Sequence, residues 1–194
     1  MAGFITYILI SVFTPGPNNI FASTSTLKIG FRKTLRFMLG VFVGTFVVFL
    51  LTSLLNIFLY ENIRIITTII GIVGGLFIVW LAVKMFLARK ENEKPLIKGN
   101  KMFLMAVLIN FINAKTIIFG LTVATFYLNL DFPSKYLVYF DLLMAVLCFI
   151  AVVVWGLFGK LFKEFLTKYR TIYNIIMALL LAYSGAVIIY ESIF

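Results

Sequence analysis

The chain has 194 residues, of which 63% are hydrophobic and only 12% are charged, and its formal net charge is +10. Soluble domains have about half apolar and about 25% charged residues, so this composition predicts an integral membrane protein. The basic residues lie in short loops between apolar runs, which indicates membrane orientation and lipid headgroup contacts, not a nucleic-acid partner. With one cysteine, Cys148, and no histidine, we expect no disulfide, no metal site and no cofactor.

Six apolar runs are long enough to cross a bilayer as helices, because about 20 residues span roughly 30 Å of hydrocarbon. In chain order they cover about 2–24, 37–60, 65–87, 102–128, 136–158 and 171–190. Their length and their lack of alternation exclude a closed barrel. The sequence therefore predicts an all-α integral membrane protein that forms one transmembrane domain over 1–194.

The first run is interrupted near its middle. The interrupting residues are Thr14, Pro15, Gly16, Pro17, Asn18 and Asn19. Two prolines and a glycine break a helix, and the break frees amides that attract a carboxylate. The freed carbonyls and the asparagine side chains accept hydrogen bonds from an ammonium group. The motif predicts a binding site for a zwitterion, and a proline kink that only shapes packing is the alternative.

The second and third runs contain small-xxx-small pairs, Gly40 with Gly44 and Gly71 with Gly75. Such pairs allow two helix backbones to approach closely in a membrane. We expect them to serve helix packing.

The fourth run contains Asn110, Asn113 and Lys115 at mid-membrane depth, where polar groups are costly unless they line a cavity. In the functional interpretation Lys115 binds a substrate carboxylate or exchanges a proton. In the structural interpretation it snorkels to the interface or caps the carbonyls of a half-helix. The two asparagines either line the cavity or form hydrogen bonds between helices.

The fifth run contains one carboxylate, Asp141. This residue pairs with Lys115, binds an amine, carries protons in an antiport cycle or only reaches the interface, and the sequence leaves these roles open.

Basic residues are concentrated in three of the five predicted loops. These loops carry Lys28, Arg32, Lys33 and Arg36; Arg89, Lys90, Lys94, Lys98 and Lys101; and Lys160, Lys163, Lys168 and Arg170. The other two loops carry only Arg64 and Lys135. The positive-inside rule places the three basic loops in the cytoplasm and both termini outside, which agrees with an even number of spans.

The two halves of the chain, about 1–88 and about 102–194, are related by the positions of their breaks, and a cytoplasmic linker at about 89–101 joins them. Aligning the breaks places Pro17 on Ala114 and Asn18 on Lys115. Since each half has three helices, the second half enters the membrane in the opposite sense. The predicted fold is a 3+3 inverted repeat with broken helices 1 and 4, and such breaks mark the binding sites of secondary transporters.

These motifs resemble the lysine exporter (LysE/RhtB) superfamily of amino-acid efflux proteins. The resemblance spans nearly the whole chain and rests on the motif from Thr14 to Asn19, on Gly30-Phe31-Arg32 and on Gly40. The second family signature, usually Asn-Pro-Lys, occurs here as Asn113-Ala114-Lys115. In lacking this proline, the chain resembles the cysteine and O-acetylserine exporter subgroup. The missing proline predicts a gentler second break than in most members of the superfamily.

The resemblance implies export of an amino acid or a close derivative from the bacterial cytoplasm across the inner membrane, driven by protons. We expect a non-enzymatic transporter that binds its substrate through Pro15, Gly16, Pro17, Asn18, Asn19, Asn110, Asn113 and Lys115. Asp141 or Lys115 is expected to couple transport to protons. The alternatives are a divalent-metal exporter and a lipid scramblase or structural membrane protein. A homodimer is compatible with so short a chain.

Overall fold

The computed structural model describes residues 2–58, 101–128 and 133–193, together with separate positions between 68 and 86. The helices are α1 (Ala2–Phe13), α2 (Pro17–Ile29), α3 (Phe31–Phe58), α4 (Met102–Ile112), α5 (Ala114–Leu128), α6 (Leu137–Leu161), α7 (Lys163–Lys168) and α8 (Arg170–Ile193). A 3₁₀ turn, Ser134–Tyr136, precedes α6. The positions described between 68 and 86 are also helical. The all-α prediction is confirmed. Most of the predicted linker and part of the predicted third helix lie outside the described residues.

Among the described residues, two helices are long and apolar enough to cross a membrane alone, namely the segment Phe31–Asn56 of α3 and the whole of α6. α4 and α5 meet the same criteria as one span that is bent by 62°. α8 contributes a shorter apolar segment, Thr171–Val187. The described part of the chain therefore has the helices of a multi-pass membrane protein.

Both predicted breaks are present. α1 ends at Phe13 and α2 begins at Pro17, where a missing N–H costs no helical hydrogen bond. α4 ends before Asn113, which is extended (φ −84°, ψ 96°), and α5 begins at the next residue. The second break and its 62° bend therefore form without a proline.

The boundary between the first two runs differs from the prediction. α2 continues to Ile29, past the predicted end near 24, and α3 begins at Phe31 instead of near 37. Gly30 separates them with a φ of 87°, which glycine adopts without strain. The predicted boundary is wrong because it follows hydropathy, whereas a helix continues through polar residues while its backbone bonds are satisfied.

α3 lies at the centre of the bundle and packs against α2, α4, α5 and α6. Its contact with α4 is close because two glycines of α3 face that helix. A Cβ atom on Gly40 would lie 2.8 Å from Ala106 Cβ, and one on Gly44 would lie 2.9 Å from Val107 Cα. The predicted packing role of this glycine pair is confirmed.

A Gly40→Val substitution is expected to lower the stability of the folded protein by about 1–3 kcal/mol, because overpacking forces the two backbones apart. The thermal midpoint of the detergent-solubilised protein, followed by size-exclusion chromatography, measures this effect. Val43→Leu is the matched control, since Val43 is exposed on another face of α3. Equal midpoints for the two variants would show that α4 adjusts to the added side chain.

Candidate functional site

A cavity of about 50 Å³ lies where the two helix breaks meet. Six of the predicted site residues line it: Gly16, Pro17, Asn18, Asn19, Asn113 and Lys115. The structure therefore brings together two motifs that are far apart in the sequence. Since one water needs about 10–15 Å³, the cavity has room for several waters.

The walls of the cavity are mostly apolar. Phe49 of α3, Phe119 of α5, and Cys148 and Val152 of α6 line it, together with the hydroxyl-bearing Thr45 of α3. A few polar groups within apolar walls are typical of small-molecule sites, because the polar groups fix the orientation of the ligand.

Asn110 does not line the cavity, but it forms hydrogen bonds with three residues that do. Its side chain is fully buried, and its Nδ2 donates to the Ala106 carbonyl at 2.8 Å. That carbonyl can only accept, so the Asn110 Oδ1 must face the opposite way. There it accepts hydrogen bonds from Asn18 Nδ2 at 2.9 Å, Thr45 Oγ1 at 3.1 Å and Thr116 Oγ1 at 3.2 Å. Asn110 thus joins the two helix breaks to α3.

Two asparagines that line the cavity each have a buried side-chain oxygen with no hydrogen-bond partner among the described residues. Because Asn18 directs its amide nitrogen at Asn110, its own Oδ1 is left buried and unpaired. Asn113 Oδ1 is also buried and unpaired, and the residue is only 2% exposed. An unpaired buried acceptor costs about 1–3 kcal/mol. Because both oxygens are buried, a ligand that donates hydrogen bonds can reach them only after neighbouring groups move.

Lys115 extends from the second break to the first. Its Nζ donates to the Thr14 carbonyl at 2.9 Å, and this carbonyl also accepts from Asn19 Nδ2 at 3.1 Å. The Lys115 side chain passes Gly16 closely, since a Cβ on Gly16 would lie 3.0 Å from Lys115 Cδ. The glycine therefore makes room for the lysine.

The freed carbonyl groups of Val12, Phe13, Thr14 and Pro15 form what we call the broken end of α1. Asn19 Nδ2 donates to the Val12 carbonyl at 3.0 Å and Trp155 Nε1 to the Phe13 carbonyl at 3.1 Å. Ser184 Oγ donates to the Pro15 carbonyl at 3.1 Å. Pro15, a predicted substrate-binding residue, does not line the cavity, and its carbonyl is held by α8.

Asp141 lies away from the cavity lining. Ser53 Oγ of α3 donates to Asp141 Oδ1 at 3.0 Å, while Asp141 Oδ2 is buried and has no partner in the described part of the chain. The structure does not pair Asp141 with Lys115, whose ammonium contacts Thr14. Asp141 is only 2% exposed.

The polar face of α3 was not among the features predicted from the sequence. Thr45, Thr52, Ser53 and Asn56 are all buried, and their spacing places them on one side of the helix. Asn56 Nδ2 contacts α5 through the Leu121 carbonyl at 3.2 Å. The spacing of these short polar residues in an apolar run was a signal that could have located this face.

The LysE type translocator family model matches residues 9–192. The chain belongs to the LysE family. It is similar to the cysteine/O-acetylserine efflux protein of Klebsiella pneumoniae subsp. pneumoniae, with 31% identity over 192 residues, covering 98% of this chain and 97% of the relative. The proteins of the same name from Salmonella typhimurium and Escherichia coli strain K12 are 34% and 32% identical, with the same coverage of both chains. No solved structure matches the chain. The predicted resemblance is confirmed, and this LysE-family protein is a transporter, not an enzyme.

Proposed function

We propose that this LysE-family protein exports a small neutral amino acid or derivative, of the cysteine or O-acetylserine type, in exchange for protons. The family and the names of the three relatives support amino-acid export. The substrate class within that activity is argued from the cavity.

The observation that carries the proposal is the joint presence of donors and unpaired acceptors at one cavity. Lys115 and the first turns of α2 and α5 present positive charge and free backbone N–H groups, which bind a carboxylate. Asn18 Oδ1 and Asn113 Oδ1 are acceptors for an ammonium group. A zwitterion satisfies both sets, whereas a metal ion satisfies only the acceptors and a lipid acyl chain satisfies neither.

The size of the cavity argues for a small side chain. The cavity is about 50 Å³ and has Phe49 and Phe119 in its walls, so a bulky substrate would require a larger displacement of those walls than a small one. The apolar Phe49 and Val152 leave no partner for a charged side chain at those positions. The proposal therefore favours neutral substrates over lysine or arginine.

Asp141 is the proposed proton carrier. It is a buried carboxylate with one oxygen held by Ser53 and the other without a partner among the described residues. Ionisable groups in such positions mark proton relays in transporters. Since Asp141 lies outside the cavity lining, proton uptake and substrate binding would use different groups.

The proposed cycle uses the predicted six-helix, 3+3 inverted repeat in the bacterial inner membrane with both termini outside. Alternating access would come from rocking of one half against the other. The Asn18–Asn110 hydrogen bond joins the two halves at the cavity, so its rearrangement would accompany that movement.

Efflux from proteoliposomes tests the proposal. Purified protein is reconstituted, vesicles are loaded with radiolabelled cysteine, O-acetylserine, serine or arginine, and release is followed with and without an imposed pH gradient. We expect saturable, gradient-stimulated release of a neutral substrate and no release of arginine. An Asn113→Leu variant, which removes one ammonium acceptor, is the control for leakage.

Absence of flux for every amino acid, with correct insertion verified by protease accessibility, would contradict the proposal. Metal efflux and lipid scrambling would then be measured in the same vesicles.

A further inference from the structure

We propose that α2 is the cytoplasmic gate of the transporter and that a hydrogen bond between Tyr173 and Ser23 holds this gate closed. In this inference, which rests on the proposed function and its orientation, the basic residues around Gly30 face the cytoplasm. α2 must then tilt away from its neighbours before substrate enters from that side. Neither Tyr173 nor Ser23 lines the substrate cavity, so the gate is distinct from the binding site.

α2 extends from the cavity to the basic residues that we place in the cytoplasm. Residues 17–19 at its start line the cavity, and its last turn carries Lys28. Between these ends, Ile20 belongs to an apolar cluster with residues of α8, and Ala22 belongs to another with residues of α3. A solute that approaches the cavity along α2 must therefore move this helix away from α8 or from α3.

Both ends of α2 have the features of hinges. At its start, Gly16 is extended and Pro17 supplies no N–H, so the helical hydrogen bonds of α1 do not continue into α2. At its other end, Gly30 has a φ of 87°, and a Cβ atom there would meet no heavy atom of the described residues within 4 Å. Gly30 is therefore required by its backbone conformation and not by packing. Because hinges are a few terminal residues that absorb changes in φ and ψ, α2 can tilt as one rigid unit.

A buried hydrogen bond joins the middle of α2 to α8. The Tyr173 hydroxyl donates to Ser23 Oγ at 2.8 Å, across 150 positions of sequence. Tyr173 is 5% exposed and Ser23 is 0% exposed, so bulk water does not compete for this bond in the closed position. The bond forms only while α2 lies against α8, and it therefore favours the closed position of the gate.

The contact of α2 with α6 is formed by small groups that can separate. A Cβ atom on Gly159 would lie 2.5 Å from the Ser23 carbonyl oxygen, so the two backbones touch with no Gly159 side chain inserted between them. One turn further along α2, Thr26 Oγ1 is buried and has no hydrogen-bond partner among the described residues. Water that enters on opening would satisfy this hydroxyl, so the closed position carries a cost that opening relieves. Tyr173 and Thr26 therefore bias the gate in opposite directions.

Labelling of Cys148 tests the gate, because this residue lines the cavity and is the one cysteine of the sequence. Inside-out membrane vesicles, which present the cytoplasmic side, are treated with a membrane-impermeant methanethiosulfonate that carries a sulfonate group. The labelled fraction of the purified protein is measured by intact mass. We expect Tyr173→Phe to speed labelling about two- to tenfold, because one buried hydrogen bond of the closed position is lost. Thr26→Val, which removes the unpaired hydroxyl, is expected to slow labelling by a similar factor.

Tyr183→Phe is the matched control, because Tyr183 is an exposed tyrosine of the same helix, and its labelling rate is expected to equal that of wild type. Ser23→Ala breaks the same hydrogen bond as Tyr173→Phe and decides the question if Tyr173→Phe does not insert. The double variant is expected to be labelled no faster than the faster single variant, since both single changes remove one shared bond.

Right-side-out vesicles separate an opened gate from a loosened protein. Tyr173→Phe is expected not to speed labelling of Cys148 from the outer side. An unchanged rate from the cytoplasmic side, faster labelling from both sides, or effects that multiply in the double variant would overturn the inference. Labelling needs no amino acid, so such a result in a protein with amino-acid efflux leaves the proposed function intact. Absence of efflux from a protein with the expected labelling would overturn the proposed function alone.

Discussion

Replacing Asn110 with leucine is expected to reduce amino-acid efflux at least about tenfold. The Asn110 Oδ1 is the acceptor shared by Asn18, Thr45 and Thr116. Leucine has a similar volume but no oxygen, so these donors lose their partner, and each buried unpaired group costs about 1–3 kcal/mol. Asn18 is then free to turn its side chain, and its oxygen is no longer directed by Asn110. Initial rates of efflux from proteoliposomes, over a range of substrate concentrations, measure the loss.

Asn56→Leu is the matched control for this variant. Asn56 is also a buried asparagine that joins two helices, since its Nδ2 donates to the Leu121 carbonyl at 3.2 Å. Neither Asn56 nor Leu121 lines the cavity. We expect the two variants to lose similar stability and only Asn110→Leu to lose most of its efflux. Parallel losses of efflux would show that Asn110 acts through stability alone.

Replacing Asp141 with asparagine is expected to abolish the stimulation of efflux by a pH gradient. The ratio of the efflux rates with and without the gradient should then be about one. The substitution keeps the shape of the side chain and an oxygen for the Ser53 hydroxyl, and it removes the group that takes up and releases a proton. Exchange of internal for external substrate is expected to continue, because Asp141 is not part of the cavity lining. The measurement is the ratio of initial efflux rates at imposed and zero pH gradients.

Glu164→Gln is the control for Asp141→Asn, because Glu164 is an exposed carboxylate in α7. This variant is expected to keep the full stimulation. If Asp141→Asn also kept it, another group would carry the proton, and the proposed role of Asp141 would be wrong.

The breaks of the two half-helix pairs could be predicted from the sequence because their causes are local. Pro15, Gly16 and Pro17 disrupt helical geometry wherever they occur, and Asn113 and Lys115 are conspicuous in an apolar run. The same local signals identified the six residues that line the cavity from the breaks. The helix ends at Ile29 and Phe31 were predicted less well, because hydropathy marks the membrane and not the end of a helix.

The pairing of side chains could not be predicted because it depends on packing between distant segments. Asn18 and Asn110 are 92 positions apart, and nothing in either local pattern specifies the other as its partner. The sequence left Asn110 open between cavity lining and hydrogen bonding, and the structure places it behind the lining. Pairing with Lys115 was one of the predicted roles of Asp141, whereas its hydrogen-bond partner is Ser53, a small polar residue without a distinctive local pattern.

The broken end of α1 also has a consequence for the biogenesis of the protein. Its carbonyls depend on Lys115, Trp155 and Ser184, which belong to three later helices, and Ser184 lies 169 positions after Pro15. A ribosome therefore releases the break long before its partners exist, and the nascent chain must shelter these carbonyls in the translocon or in water. The hydrogen bonds of the first break are complete only when α8 packs against it. Truncation before α8 therefore leaves the Pro15 carbonyl without the hydrogen bond from Ser184.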